Sequence, residues 1–274
     1  MFAASSNTSI AQFPVFLTGG LKPTHAERGP ALAAVGTQSD IAEKQAPRPS
    51  FSDAIAAASN ELSVELATTP EQIQEVYQLR YRVYCEERGY EQSDNGLEQD
   101  SYDERAHHVL VRSRLTGVAL GTVRIVLPTA EAGLASVPMA QVCENYVFAS
   151  LPVTSTAEVS RFALTRDRTG VSAAAAALMR ICLFRGVIAV SQREGITHWC
   201  AVMEKTLLRL LRTTAVYFEA VGPVVEFHGL RQPAIVSIDS GLKRMQREQP
   251  ALWAYITDHG SLWPETTEEL QQAA

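Results

Sequence analysis

Cysteine is scarce in this chain. Cys85, Cys143, Cys182 and Cys200 are scattered through 274 residues. With no CxxC pair, neither a zinc ribbon nor a dithiol redox motif is suggested, and the pattern reads as buried thiols in a reducing compartment. Positive charge is not in surplus either: the formal net charge is −6, which disfavours generic nucleic-acid binding. The longest apolar stretch, 173–190, is broken by Arg180 and Arg185, whereas a membrane span needs ~20 mostly apolar residues. Residues 1–20 lack a basic start and a long apolar core, so a secretory signal is not expected. These absences together predict a cytoplasmic protein. No metal constellation is visible: His107 and His108 are neighbours on a predicted strand and face opposite ways.

What is present begins late. Residues 1–60 are rich in Ala, Ser, Thr, Pro and Gly with little periodicity. They read as a mostly disordered leader, with room for a short helix at 51–62, that packs little against the rest. The folded domain is expected over 61–263, followed by a flexible tail, 264–274. Ser63–Ala67 alternates like a strand, and Pro70 opens a helix to about Glu86. The next stretch, 87–105, is acidic and turn-rich, and a loop this long inside a compact domain is usually functional. Strands are predicted at 107–114, 119–127, 157–164, 197–203, 216–221, 224–228 and 234–238. Helices are predicted at 139–148, 172–194, 205–213, 241–249 and 252–258. Antiparallel strands come first and β-α-β character follows, which predicts one α/β domain around a mixed sheet.

Four segments stand out: 79–90 (LRYRVYCEERGY), 98–103 (EQDSYD), 121–124 (GTVR) and 158–162 (EVSRF). Glu98, Asp100 and Asp103 crowd three carboxylates into six residues, while Arg124 and Arg161 interrupt apolar strands. Charges are rarely buried unless paired. The economical solution joins the strand arginines to the acidic loop, with Arg80 as a third partner. Such a network is typical of a site; the plainer alternative is a salt-bridge cluster that only pins the loop.

In this order and spacing the four segments resemble the acyl-homoserine-lactone synthases. With residues 83–87 (VYCEE), 201–204 (AVME) and 228–233 (HGLRQP), the chain resembles still more the PEP-CTERM/exosortase system-associated acyltransferases and the N-acyl amino acid synthases. The resemblance covers roughly residues 63–260. It implies a GNAT fold, a mixed and largely antiparallel sheet with flanking helices. It also implies an acyl-phosphopantetheine co-substrate, from acyl carrier protein or coenzyme A, and a small amine acceptor, with no permanently bound cofactor. Acyl carrier protein is the expected partner. Lactone synthases usually carry Trp where Tyr90 stands, so an autoinducer synthase is the alternative. A non-catalytic acyl-ligand sensor is a third reading.

The resemblance places catalysis at Glu158, Ser160 and Arg161, with Arg80, Tyr84, Glu98, Asp100, Asp103 and Arg124 as the charge network. A thioester needs no nucleophilic Ser or Cys. An α-amine of pKa ~7.7–8.0 needs only a weak base, for which Glu158 is the candidate; Ser160 could assist, though a strand-filling hydroxyl is the reading preferred for it. The stretch 166–171 (RDRTGV) has one glycine in place of a Gly-rich phosphate loop. Arg166 and Arg168, with the dipole of the following helix, are the candidates for a single phosphate. On a regular strand Glu158 and Ser160 share a face and Arg161 takes the other. Glu158 and Arg161 can therefore serve one site only if the strand is bulged or opens a cleft there, and the resemblance implies a splayed strand with exposed backbone donors.

Overall fold

The computed structural model describes residues 51–227 and 229–264. The elements run α1 (Phe51–Glu61), β1 (Leu62–Ala67), α2 (Pro70–Tyr81), β2 (Ala106–Ser113), β3 (Ala119–Val126), β4 (Thr156–Leu164), α3 (Ala173–Arg193), β5 (His198–Met203), α4 (Lys205–Thr213), β6 (Glu219–Ala220), β7 (Val225–Glu226), β8 (Leu230–Ser237), α5 (Ile238–Glu248) and α6 (Pro250–Thr257). They build one sheet in the order β1-β2-β3-β4-β5-β8-β6, with β7 beside β8. Every pairing is antiparallel except β4 with β5. The mixed sheet anticipated from the strand pattern is therefore present.

Helix starts follow local chemistry. Thr69 caps α2 in a capping box with Gln72, and Pro70 occupies the first turn, where its missing N–H costs nothing. The Ser172 hydroxyl caps α3 by accepting the Ala175 N–H. Beyond Tyr81 the chain continues through a π-helical turn, 82–87, so the predicted helix to Glu86 exists but changes its winding. That wider turn buries Val83 and Tyr84.

The two faces of the sheet differ. Val109, Val123, Ile125, Ala157 and Val159 face α3 and form the main core with it. On the opposite face α2 lays Val76 and Leu79 over Ala67 and Leu110. Helix α3 has the length and composition of a membrane span, yet Met179, Cys182, Leu183, Val187 and Ile188 are buried in this core, as in a core helix.

Several expectations are corrected. Helix α1 packs Ala54 and Ala58 into the main core, so residues 51–60, expected in the leader, belong to the folded domain; residues 1–50 lie outside the described residues, as do 265–274. The predicted helix at 139–148 is two short 3-10 turns, Pro138–Gln141 and Asn145–Phe148. The strand expected at 216–221 shrinks to β6, whereas the last strand lengthens into β8. A two-residue β6 satisfies the edge of β8 without offering a long edge of its own.

Helix α3 lies so close to the sheet that a Cβ on Gly186 would stand 2.3 Å from Val109 Cγ1 and 3.0 Å from Val64 Cγ1. Gly→Ala normally gains ~1 kcal/mol in a helix, but overpacking costs ~1–3 kcal/mol. Gly186→Ala is expected to lower stability in chemical denaturation, and a rise would show that α3 can lift off β2 at little cost.

Candidate active site

The acidic loop is shaped by its own backbone. The Glu98 N–H donates to the Tyr77 carbonyl at 3.1 Å, tying the loop to α2. The Tyr102 N–H donates to Asp100 Oδ1 at 2.9 Å and the Asp100 N–H to Asp103 Oδ2 at 2.8 Å. These turns aim the three carboxylates at the sheet, where three buried arginines meet them.

The charges close into a ring. Arg80 contacts Glu98 at 2.5 Å and Asp103 at 2.7 Å. Glu98 also binds Arg161 at 2.9 Å, and Arg161 binds Asp100 at 3.1 Å. Asp100 binds Arg124 at 2.6 Å, and Arg124 binds Asp103 at 3.0 Å. Each charge thus touches two of opposite sign, and Arg80, Arg124 and Arg161 are buried. All six residues named from sequence belong to the ring or, in the case of Tyr84, lie against it, with the Arg161 guanidinium 5.9 Å from the Tyr84 ring centre.

Closure depends on a bulge, one of the two distortions expected of this strand. Thr122 pairs with Ala163 and Arg124 with Ser160, so β4 carries one more residue than β3 across this interval. Arg161 sits at φ 49°, a left-handed conformation costly for a residue with a Cβ. The extra residue turns Arg161 to the face of Glu158 and Ser160, while Val159 and Phe162 pack with the core on the other side. Ser160 Oγ accepts the Arg124 Nε–H at 3.0 Å. That bond gives Ser160 a positioning role and leaves its assistance to the reaction untouched.

The electrostatics follow from burial and pairing. Burial pushes the Glu98 and Asp103 carboxyls up, but the adjacent arginines outweigh it: Glu98 falls to about 2, and Asp103 also falls well below the carboxylate range. His108, buried behind Asp103, is pushed down to about 3 by burial and by Arg80 and is neutral. Glu158 behaves oppositely. It is buried beside the ring, and desolvation pushes it up to about 8 against the Met139 hydrogen bond and the pull of Arg124 and Arg161. Its Oε2 accepts the Met139 N–H at 2.5 Å. Its Oε1, like Arg124 Nη2 and the Tyr84 hydroxyl, has no partner among the described residues.

Glu158 also marks a break in the sheet. Strands β4 and β5 pair in parallel through Thr156–His198, Ala157–Trp199 and Glu158–Cys200, and no further. Beyond Glu158 they part, and the cleft between them is lined by Val159, Phe162, Phe184, Met203, Leu207 and Phe218.

The two proposed phosphate ligands are placed differently. Arg166 has 66% of its side chain exposed, with Glu87 at 4.0 Å. Arg168 folds onto its own loop, donating to the Thr165 and Asp167 carbonyls. The first turn of α3 already carries a carboxylate, because Glu61 accepts the Ser172 N–H at 2.5 Å. Two further motif segments are tied to each other: Arg231 pairs with Glu204 at 3.0 Å, which holds β8 to the end of β5. His228, the first residue of the segment 228–233, lies outside the described residues. Sequence reasoning missed the Met139 N–H, which stands at the start of the helix expected at 139–148 and is free of any intrahelical partner. It also missed Tyr102, whose ring lies under Arg124 at 5.9 Å and Arg105 at 5.2 Å.

A sheet whose parallel pair splays beside a carboxylate, backed by one long helix, is the GNAT fold. The acetyltransferase (GNAT) domain model matches residues 79–178, which include the ring, β2–β4 and the start of α3. Solved structures agree on the fold. TofI, crystallised with an inhibitor and MTA, aligns at 23% identity and TM-score 0.52, covering 70% of this chain and 99% of that one. BjaI, a CoA-dependent acyl-homoserine lactone synthase with SAM and isopentyl-CoA, aligns at 20% and 0.52, covering 75% and 90%. FeeM, an N-acyl amino acid synthase from uncultured soil microbes, aligns at 17% and 0.50, covering 67% and 94%. No curated protein matches the sequence.

Arg161→Ala leaves Glu98 and Asp100 each short of a counter-charge, and breaking a buried pair costs ~3–5 kcal/mol. A loss of that size is expected in urea unfolding; a near-native midpoint would show that the ring is not needed for folding. The pH dependence has a definite sign. Glu98 and Asp103 have folded pKa values below their unfolded ones, so the stability they contribute is present above ~4.3 and is lost as pH falls towards 2. Thermal midpoints should drop across that window, more steeply in the native chain than in Glu98→Gln.

Proposed function

We propose that this chain is an N-acyltransferase that moves a fatty acyl group from a pantetheine thioester to the amine of an amino acid or similar small molecule. The observation that carries the proposal is Glu158, a buried carboxylate with pKa near 8 and one unpartnered oxygen, standing where β4 and β5 part. A base works best with a pKa near the working pH, and this one matches an α-amine. The acyl chain lies in the apolar cleft. The amine nitrogen attacks the thioester carbonyl, its proton passes to Glu158 Oε1, and collapse of the tetrahedral intermediate expels the thiolate, which takes a proton back. Backbone N–H groups of β4 beyond Glu158, on the side released from β5, supply the oxyanion donors. Arg124 Nη2 and the Tyr84 hydroxyl are left to bind the acceptor, and a guanidinium donor beside a base suits an acceptor with a carboxylate, as in an amino acid.

The motif resemblance to PEP-CTERM/exosortase-associated acyltransferases and the choice of acyl carrier protein as donor belong to the same proposal. So does a cytoplasmic location, to which four free thiols are suited. An autoinducer synthase remains the second reading, favoured by the fold it shares with the acyl-homoserine lactone synthase BjaI and opposed by Tyr90 in place of Trp.

The test is mass spectrometry of lipid extracts from cells expressing the native chain and Glu158→Gln. A new acyl-amine mass from the native chain is expected; a lactone product selects the second reading, and no product from either supports a sensor. In purified enzyme, general-base help is typically worth ~10²–10⁴-fold, so Glu158→Gln should lose turnover by that factor and regain part of it as rising pH deprotonates the amine. Native turnover should rise through about pH 8, where Glu158 ionises. Because its folded pKa is raised, Glu158 loses stability for the fold as pH climbs from ~4.3 to 8. Glu158→Gln should therefore be at least as stable as the native chain at pH 9, separating lost chemistry from lost structure.

A further inference from the structure

The loop between β4 and α3, residues 165–172, ends on the start of a 21-residue helix, where backbone N–H groups and the helix dipole ordinarily favour an anion. Here those donors are already used. Of the eight N–H groups in the loop, six have acceptors. Thr165 donates to the Leu120 carbonyl, Asp167 to the Thr165 hydroxyl and Val171 to the Arg168 carbonyl, while Arg166, Thr169 and Ser172 donate to carboxylates. Asp167 takes the Thr169 N–H at 2.8 Å within the loop itself. The other two carboxylates come from elements remote in the sequence. Glu87, at the end of the π-helical turn, accepts the Thr165 hydroxyl at 2.7 Å and the Arg166 N–H at 3.1 Å. Glu61, the last residue of α1, accepts the Ser172 N–H at 2.5 Å. Both are anchored. The Arg114 N–H donates to the Glu61 carbonyl at 2.8 Å, and Ala54 and Ala58 hold α1 in the core. Val83 and Tyr84 bury the turn that carries Glu87.

We propose that Glu61 and Glu87 are specificity-determining residues: their carboxylates close the 165–172 loop and the start of α3 to a nucleoside diphosphate, so the chain takes its acyl group from a carrier-protein thioester and not from coenzyme A. The proposal rests on the acyl-transfer reading above. Coenzyme A and a carrier protein present the same pantetheine arm and differ beyond it. Coenzyme A continues into a diphosphate and a nucleoside, whereas the carrier's arm ends in a single phosphodiester on a protein surface. A diphosphate gains most from free N–H donors and an unopposed helix dipole. Here it would have to displace Glu61 and Glu87 or lie beside them, and like charges in contact repel even near a protein surface. A carrier protein also binds through its own contact area, so it depends less on this loop. Helix α1 thus brings a charge to the start of α3 as well as two alanines to the core.

The test is calorimetric titration of the full chain with coenzyme A, dephospho-coenzyme A, 4′-phosphopantetheine and holo acyl carrier protein, in the native chain, Glu61→Gln, Glu87→Gln and the double variant. Glutamine keeps an oxygen for the Ser172 or Arg166 N–H and removes the charge. The native chain should bind carrier protein and bind coenzyme A far more weakly. Each single variant should tighten coenzyme A roughly tenfold, as removal of one adjacent like charge allows, and the double variant should tighten it further. The same gain should appear with dephospho-coenzyme A, which keeps the diphosphate, and should be smaller with 4′-phosphopantetheine. Carrier-protein affinity should stay native, which also shows that the variants are folded. Glu194→Gln removes a carboxylate at the far end of α3 and should behave as native; a gain there too would reduce the effect to net charge and overturn the proposal. A native chain that binds coenzyme A as tightly as the variants do overturns the exclusion and leaves the acyl-transfer reading standing. So does a gain seen with coenzyme A but not with dephospho-coenzyme A, which would place the effect on the 3′-phosphate. Native chain and variants that all bind neither coenzyme A nor carrier protein overturn both.

Discussion

The closed ring of Arg80, Glu98, Arg161, Asp100, Arg124 and Asp103 is the constraint on which the rest of this site depends. Six buried or nearly buried charges are tolerable only because each has two opposite neighbours. The ring in turn needs a backbone that no regular strand provides. Arg161 must point to the same side as Ser160, and it does so by accepting a left-handed conformation at φ 49°. Strain of that kind persists where the surroundings over-determine it; here two carboxylates hold the guanidinium on one side while Val159 and Phe162 are anchored in the core on the other.

The ring also accounts for Glu158. A lone arginine beside a buried carboxylate would drag its pKa down. Here Arg124 and Arg161 spend their charge on Asp100, Asp103 and Glu98, so the net field at Glu158 is small and desolvation decides. Carboxylates of one buried site are driven in opposite directions, Glu98 to about 2 and Glu158 to about 8. That divergence separates the structural acids from the one able to exchange protons near neutral pH. The parting of β4 from β5 adjoins the same residue, so the proton acceptor and the place for a thioester coincide.

Much of this could be read along the chain. Three carboxylates in six residues and arginines inside apolar strands cannot be left unpaired in a folded protein, so the network was deducible from burial cost alone. Alternation showed that Glu158–Arg161 could not be a regular strand and had to bulge or open a cleft; the coordinates show the bulge. Helix starts were equally legible, because Thr69, Pro70 and Ser172 act on their own next turn. Less could be said where partners are distant. The segment around Pro138–Phe148 looks helical by composition, but its short turns are fixed by Glu158 reaching the Met139 N–H across the fold. The capture of α1 by α3 rests on Ala54 and Ala58, small residues whose apolar signal is too weak to distinguish a packed helix from a loose one.

By itself the sequence determined which charges must pair, where the chain turns, and the alternation of a mixed sheet, since these follow from local periodicity and from the cost of burying an unpaired ion. Only the tertiary structure decided that the pairs close into a ring and that β4 and β5 separate at Glu158. Those outcomes depend on distances between segments far apart in the chain, and a pKa or a cleft exists only once the solvent has been excluded by all of them together.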